Sequence, residues 1–129
     1  MRLSDVYSAV SMLGVFDGHG GAECGQFMQD ELPDIITSLI KKATHRNECT
    51  ISLGEALYRA FMRADEEYLS GASNSAGTTA TVLLFEPGGM DRCGNWRGPG
   101  SVCVASAGDT RAVLCRGKIA IPLTIDHKA

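Results

Sequence analysis

Long apolar runs, a surplus of charge of one sign and paired-cysteine motifs are all missing from these 129 residues. No apolar stretch approaches the ~20 residues that cross a bilayer, so no membrane partner is expected. A formal net charge of only −3 gives no electrostatic reason to expect nucleic acid. The start, Met1-Arg2-Leu3-Ser4-Asp5, carries an acid early and no long apolar core, unlike a secretory signal. Five cysteines are present (Cys24, Cys49, Cys93, Cys103 and Cys115), irregularly spaced and with no Cys-x-x-Cys. That pattern argues against a zinc site or a disulfide framework. Free thiols in a reducing, intracellular compartment, cytoplasmic or nuclear, are expected instead. Cys24, Cys103 and Cys115 have apolar neighbours that predict a place in the core. Internal repeats and low-complexity tracts are absent as well.

What is present is an ordinary globular composition, 44% hydrophobic and 21% charged, enough for one domain with its own core. Val10 to Phe16 has the apolar, β-branched content of a strand. Cys24, Phe27, Met28, Leu32, Ile35, Ile36, Leu39 and Ile40 then recur on one helical face. Pro33 is expected to end or kink that helix near Leu32, since proline lacks the N–H that the helix needs. Lys41 and Lys42 suit its C-terminal end, and Ala43 to Thr50 looks like a polar connector.

Ser52-Leu53-Gly54-Glu55 has capping-box spacing and opens a second helix. Leu53, Leu57, Ala60, Phe61, Ala64 and Tyr68 mark its buried side, and Arg59, Arg63, Asp65, Glu66 and Glu67 a solvated one. Ser70 to Gly77 is a small-residue loop. Thr78 to Glu86 is a strand whose run Val82-Leu83-Leu84-Phe85 suggests burial on both faces. Pro87 to Gly100, glycine-rich and holding Trp96, forms an extended surface loop. Strands at Ser101 to Ala107, Arg111 to Arg116 and Ile119 to Ile121, joined by short turns, predict an antiparallel meander. Strand, two helices, then hairpins is the order of a segregated α+β fold.

The chemistry concentrates in Asp17-Gly18-His19-Gly20-Gly21, directly behind the first strand. An acid at a strand end can face a cleft while its strand is locked in the core, and glycines allow close backbone approach to an ion or phosphate. Glu23 stands where a dinucleotide fingerprint needs its third glycine, and no Gly-Lys-Ser/Thr follows. Nucleotide binding is therefore disfavoured. Asp17 with the Gly18 carbonyl would suit magnesium or manganese rather than zinc, and His19, as an imidazole, would suit a general acid. The alternatives are a histidine satisfied in a turn and an acid that only shapes an Asx turn or helix cap. Asp109, in the turn Gly108-Asp109-Thr110, is equally a second ligand candidate or a conformational turn residue.

Four segments occur here in order: Val15-Phe16-Asp17-Gly18-His19-Gly20-Gly21, Gly77-Thr78-Thr79-Ala80, Ala107-Gly108-Asp109-Thr110-Arg111-Ala112-Val113 and Leu123-Thr124-Ile125-Asp126-His127-Lys128. Together they resemble the metal-dependent protein serine/threonine phosphatases of type 2C, the PPM family, from about Leu13 onward. The resemblance implies an antiparallel β-sandwich flanked by helices, here truncated at both ends, so that residues 1–129 form a partial phosphatase domain. It also implies two divalent ions, magnesium or manganese. Asp17 would bridge them, Gly18 would give its carbonyl to one, and Asp109 would serve a further metal position. His19 would protonate the leaving serine or threonine oxygen as water attacks phosphorus, with a phosphoprotein as substrate and no phosphoenzyme. Cys24 lacks a following arginine phosphate loop and is rejected as a nucleophile. A complete domain is expected to be monomeric. The family's upstream Arg and Met-Glu-Asp elements and its downstream Asp-Gly-x-x-Asp and Asp-Asn elements do not occur among these residues. A non-catalytic pseudophosphatase or regulatory binding module of the same fold is the alternative.

Overall fold

The structure is a computed structural model that describes residues 10–45, 51–73, 75–89, 96 and 98–128. Its elements run β1 (Ser11–Val15), β2 (Gly18–His19), α1 (Glu23–His45), α2 (Leu53–Gly71), β3 (Gly77–Thr78), β4 (Ala80–Glu86), β5 (Ser101–Ala107), β6 (Val113–Arg116) and β7 (Ile119–Pro122). All strand pairs are antiparallel, so the α+β order expected from the sequence is the order observed. β1, β4 and β5 form a three-stranded sheet with β4 in the middle, while β2–β3 and β6–β7 each pair separately.

Side-chain alternation along β4 divides this sheet into two unlike faces. Ala80, Val82 and Leu84 point toward the helices and are buried. There they join Leu32, Ile35, Ile36 and Ile40 of α1 and Ala56, Leu57, Ala60 and Ala64 of α2 in one core. Each fully buried leucine contributes about 1.5–3 kcal/mol relative to exposure. On the other face Leu13, Val15, Phe85 and Val102 are exposed. The double-sided burial expected of Val82 to Phe85 therefore holds for one face only; on the other, Thr81 is buried under Thr110 while Phe85 stays exposed.

Three further expectations need correction. Helix α1 runs unbroken through Pro33 to His45, past the expected stop and into the expected connector. A proline inside a helix costs about 3 kcal/mol, but Leu32, Ile35 and Ile36 around it are all buried, and their combined burial outweighs that cost. Cys24 is buried, whereas Cys103 is half-buried and Cys115 exposed, because β6 lies outside the main sheet. Cys49 and Cys93 lie outside the described residues. Finally, β5 and β6 form no hairpin, and β6 turns instead onto β7. The turn between those two strands is Gly117-Lys118, both at positive φ (57° and 67°), the backbone that a two-residue hairpin needs.

The second helix begins as expected. The Glu55 amide donates to the Ser52 hydroxyl at 3.1 Å, but the Glu55 carboxylate pairs with Arg59 instead of closing the capping box. The loop after β4 is drawn together at its neck by the Gly89 amide donating to the Gly98 carbonyl at 2.9 Å, with Trp96 exposed. No helix among the described residues is long and apolar enough to cross a membrane.

The two-faced sheet makes a testable contrast. Leu57→Ala is expected to lower unfolding free energy by about 2–5 kcal/mol, and Leu13→Ser by less than about 0.5 kcal/mol, both measured by urea denaturation. Leu13→Ser should also reduce self-association at high concentration, which sedimentation would register.

Candidate active site

Asp17 sits where the chain leaves the main sheet. Val15 pairs with Thr81 and Gly18 with Thr78, so the register places Asp17 opposite Thr79. At that position the regular ladder is interrupted. The Thr79 amide donates to the Asp17 carbonyl at 2.9 Å, but the Asp17 amide donates to the Thr79 hydroxyl, at 3.3 Å. The Thr79 carbonyl accepts from the Thr78 hydroxyl at 2.8 Å instead. Side chains thus replace one rung and let the strand pair shift from one sheet to the next, leaving Asp17 exposed at the junction.

The same hydroxyl reaches the second acidic turn. Thr79 Oγ1 and Thr110 Oγ1 lie 2.6 Å apart, and the Thr81 hydroxyl donates to the Thr110 carbonyl at 2.9 Å. Gly108 packs so closely on Thr79 that a Cβ there would stand 2.8 Å from the threonine methyl, and its φ of 100° is one that glycine tolerates. Asp109 is held between these two anchors and is exposed.

A third strap comes from the chain beyond β7. The His127 amide donates to the Gly108 carbonyl at 2.8 Å, and the Thr124 hydroxyl accepts from the Ala112 amide at 3.0 Å. Arg111 makes a two-pronged ion pair with Asp126, at 2.8 and 2.6 Å. The hydrogen bond from Arg111 holds the Asp126 carboxyl below the usual carboxylate range. These bonds draw residues 108–112 toward the tail, which is why β5 does not continue into a hairpin with β6.

Gly18 and His19 occupy β2, and both are exposed. The His19 imidazole lies across Gly77, where a Cβ would stand 2.5 Å from Nε2. His19 borders an apolar groove of about 710 Å³ between α2 and the β3–β5 side of the sheet, lined also by Tyr58, Phe61, Met62 and Tyr68. Gly18 lines a different depression, of about 570 Å³, with Gly14, Phe16 and Gln26. The glycines after His19 serve chain packing: Gly20 has φ 69°, and a Cβ there would stand 3.1 Å from the Ser75 carbonyl. Burial, with a smaller contribution from Asp65, pushes the Cys24 thiol up, which keeps it protonated and agrees with its rejection as a nucleophile.

The donor set was weighed against a divalent cation. The ion pairs of the described residues are Glu55–Arg59, Arg63–Glu67 and Arg111–Asp126; Asp17 and Asp109 stand outside them, although the Asp109 charge acts on the Arg111 guanidinium. Two open carboxylates and a carbonyl are hard oxygen donors, and they fit magnesium or manganese in kind. In number they form part of a shell, since the described residues contain no group of three or more His, Cys, Asp or Glu able to hold a metal. Sequence reasoning had Thr79 and Thr110 only as strand and turn residues. Their place in quoted segments beside each acid was the available signal.

Comparison with known proteins gives the same direction. A family profile described as "Protein phosphatase 2C" matches residues 1–129. Protein phosphatase 2C 56 of Arabidopsis thaliana is 33% identical over 128 residues, covering 96% of this chain and 27% of that protein. Probable protein phosphatase 2C 49 of Oryza sativa subsp. japonica is 33% identical over 125 residues, covering 89% of this chain and 30% of that protein. Protein phosphatase 2C 77 of Arabidopsis thaliana is 31% identical over 121 residues, 89% of this chain and 26% of its own length. The chain belongs to the protein phosphatase 2C family. It spans less than a third of the length of these relatives.

The Arg111–Asp126 clasp carries a pH signature. The folded carboxyl titrates below its unfolded value, so its contribution to stability is complete above roughly pH 4 and fades as pH falls through the folded value. Asp126→Asn is expected to lower the melting temperature at pH 6, and the difference between the two proteins should shrink as pH falls through the folded value of the carboxyl. Thermal melts of the two proteins across that range check it.

Proposed function

We propose that this protein removes phosphate from phosphoserine and phosphothreonine in other proteins. The observation that carries the reading is that one threonine hydroxyl, on Thr79, bonds both the Asp17 amide and Thr110, the neighbour of Asp109, in a chain of the protein phosphatase 2C family. Asp17, the Gly18 carbonyl and Asp109 are the residues of this chain that would hold magnesium or manganese. When bound, such a cation supplies positive charge against the phosphoryl oxygens and acidifies water.

The other roles fall to the chain itself. Asp17 and Asp109 orient that charge from backbone positions fixed by hydrogen bonds. His19, an exposed imidazole on β2, gives its proton to the seryl or threonyl oxygen as the phosphorus–oxygen bond breaks. The apolar groove beside it accepts the uncharged part of the substrate peptide, Tyr58 and Phe61 supplying contact surface. The thiol inventory supports an intracellular setting, cytoplasmic or nuclear, and a monomer is proposed for the complete domain.

The test is hydrolysis of a phosphothreonine peptide by the full chain, with and without manganese. Turnover that requires manganese is expected. Asp17→Asn should reduce kcat/KM by roughly a hundredfold or more, as when a metal ligand or its support is removed. His19→Gln should lower kcat by roughly 10²–10⁴ and leave manganese binding intact. Absence of turnover at every manganese level would replace this reading with a non-catalytic binding module.

A further inference from the structure

We infer that the paired hydroxyls of Thr79 and Thr110 are a positioning device that sets the placement of Asp17 relative to Asp109. This rests on the phosphatase reading only for what the two acids hold. The linkage itself stands on geometry.

Asp17 and Asp109 come from segments 92 positions apart in the chain, and neither belongs to a regular strand. Asp17 lies at the exit of β1 and Asp109 in the turn after β5, and both β1 and β5 pair with β4 from opposite sides. The two strands therefore never touch as neighbours. Backbone ladders fix each acid against β4 alone and leave their mutual distance to the turns. Thr79, immediately before β4, bridges that gap with one side chain. Its hydroxyl accepts from the Asp17 amide at 3.3 Å and meets the Thr110 hydroxyl at 2.6 Å.

A hydroxyl offers one proton and two lone pairs, so both contacts are satisfied whichever threonine donates to the other. The short contact is the stronger of the two, since O–H···O bonds cluster near ~2.7–2.8 Å and N–H···O bonds of ~3.3 Å are long. The bond to Thr110 is thus the member that fixes Thr79, and the bond to Asp17 transmits that fixing to the acid. Thr110 is itself held at its carbonyl by the Thr81 hydroxyl, so the bridge ends on a backbone already anchored to β4. The Thr79 methyl lies against Gly108, so close that a Cβ there would stand 2.8 Å from it. Neither threonine need touch the cation or the substrate, and both act through the acids.

Three single variants and one double test the device in the full chain: Thr79→Val, which keeps shape and loses the hydroxyl, Thr79→Ser, which keeps the hydroxyl, Thr110→Val, and Thr79→Val combined with Thr110→Val. The first readout is amide hydrogen exchange in metal-free protein. Thr79→Val and Thr110→Val are each expected to speed exchange at Asp17 by roughly tenfold, the scale of one lost hydrogen bond. The double variant should be no faster than either single, and Thr79→Ser should restore protection. The second readout is manganese affinity by calorimetry, expected to weaken by roughly tenfold in the valine variants, as for lost supporting contacts at metal sites, and to recover in Thr79→Ser.

Unchanged Asp17 exchange in Thr79→Val, or additive effects in the double variant, would overturn the inference whatever the chain binds. Should Thr79→Val fail to fold, Thr110→Val, altered in the turn after β5, decides the same question. Missing manganese uptake in the parent chain would refute the phosphatase reading, and the exchange results would still judge the bridge.

Discussion

Everything in this fold is referenced to β4. It is hydrogen-bonded on both sides, to β1 and to β5, and the face it turns toward the helices is sealed by Val82 and Leu84. A strand bonded on both edges and packed on a face of low polarity has little freedom to shift register, because a slip of one residue would turn its buried side chains outward. Whatever is attached to its N-terminal end inherits that fixity. Thr79 is attached there, and through it both candidate acids.

The two candidate acids thus stand where regular structure stops. At Asp17 the ladder yields one rung to side chains, and at Asp109 the chain leaves the sheet under the hold of Thr110, Gly108 and the Arg111–Asp126 clasp. Such interruptions expose a carboxylate without unlocking its backbone, the combination a hard cation needs. The opposite face of the sheet, with Leu13, Val15, Phe85 and Val102 in the open, differs sharply from the helix-covered one. Among the described residues that face is covered only at Thr81, which is buried under Thr110.

Much of this was legible before any coordinates. The second helix announced itself through Leu57, Ala60 and Ala64 at helical spacing behind a serine cap, because amphipathic periodicity reports local geometry directly. The β-branched run of β4 was equally plain. Pro33 misled because local rules exclude a proline that tertiary burial of Leu32, Ile35 and Ile36 can accommodate. The β5–β6 hairpin was expected from a short turn, but contacts of Gly108 and Ala112 with residues 123–127 redirect the chain. The glycines around His19 looked suited to an ion and turn out to relieve crowding against Ser75 and Ala76. Thr79 and Thr110 looked like ordinary strand and turn residues, since no periodicity encodes which side chain will replace a missing rung. Asp17 and Asp109 could be named as candidates. The link from Asp17 through the Thr79 hydroxyl to Thr110, beside Asp109, required the fold.

The central proposal is that Asp17, Gly18 and Asp109 are the residues of this chain that take up hard cations. Its most direct measurement is paramagnetic broadening of amide signals as manganese is added to the isotopically labelled full chain. Broadening that begins at Asp17, Gly18 and Asp109 together, ahead of all other residues, is the expected result. Broadening that starts on the acidic face of α2 around Glu66 and Glu67, or at Asp126, with Asp17 untouched, would contradict it.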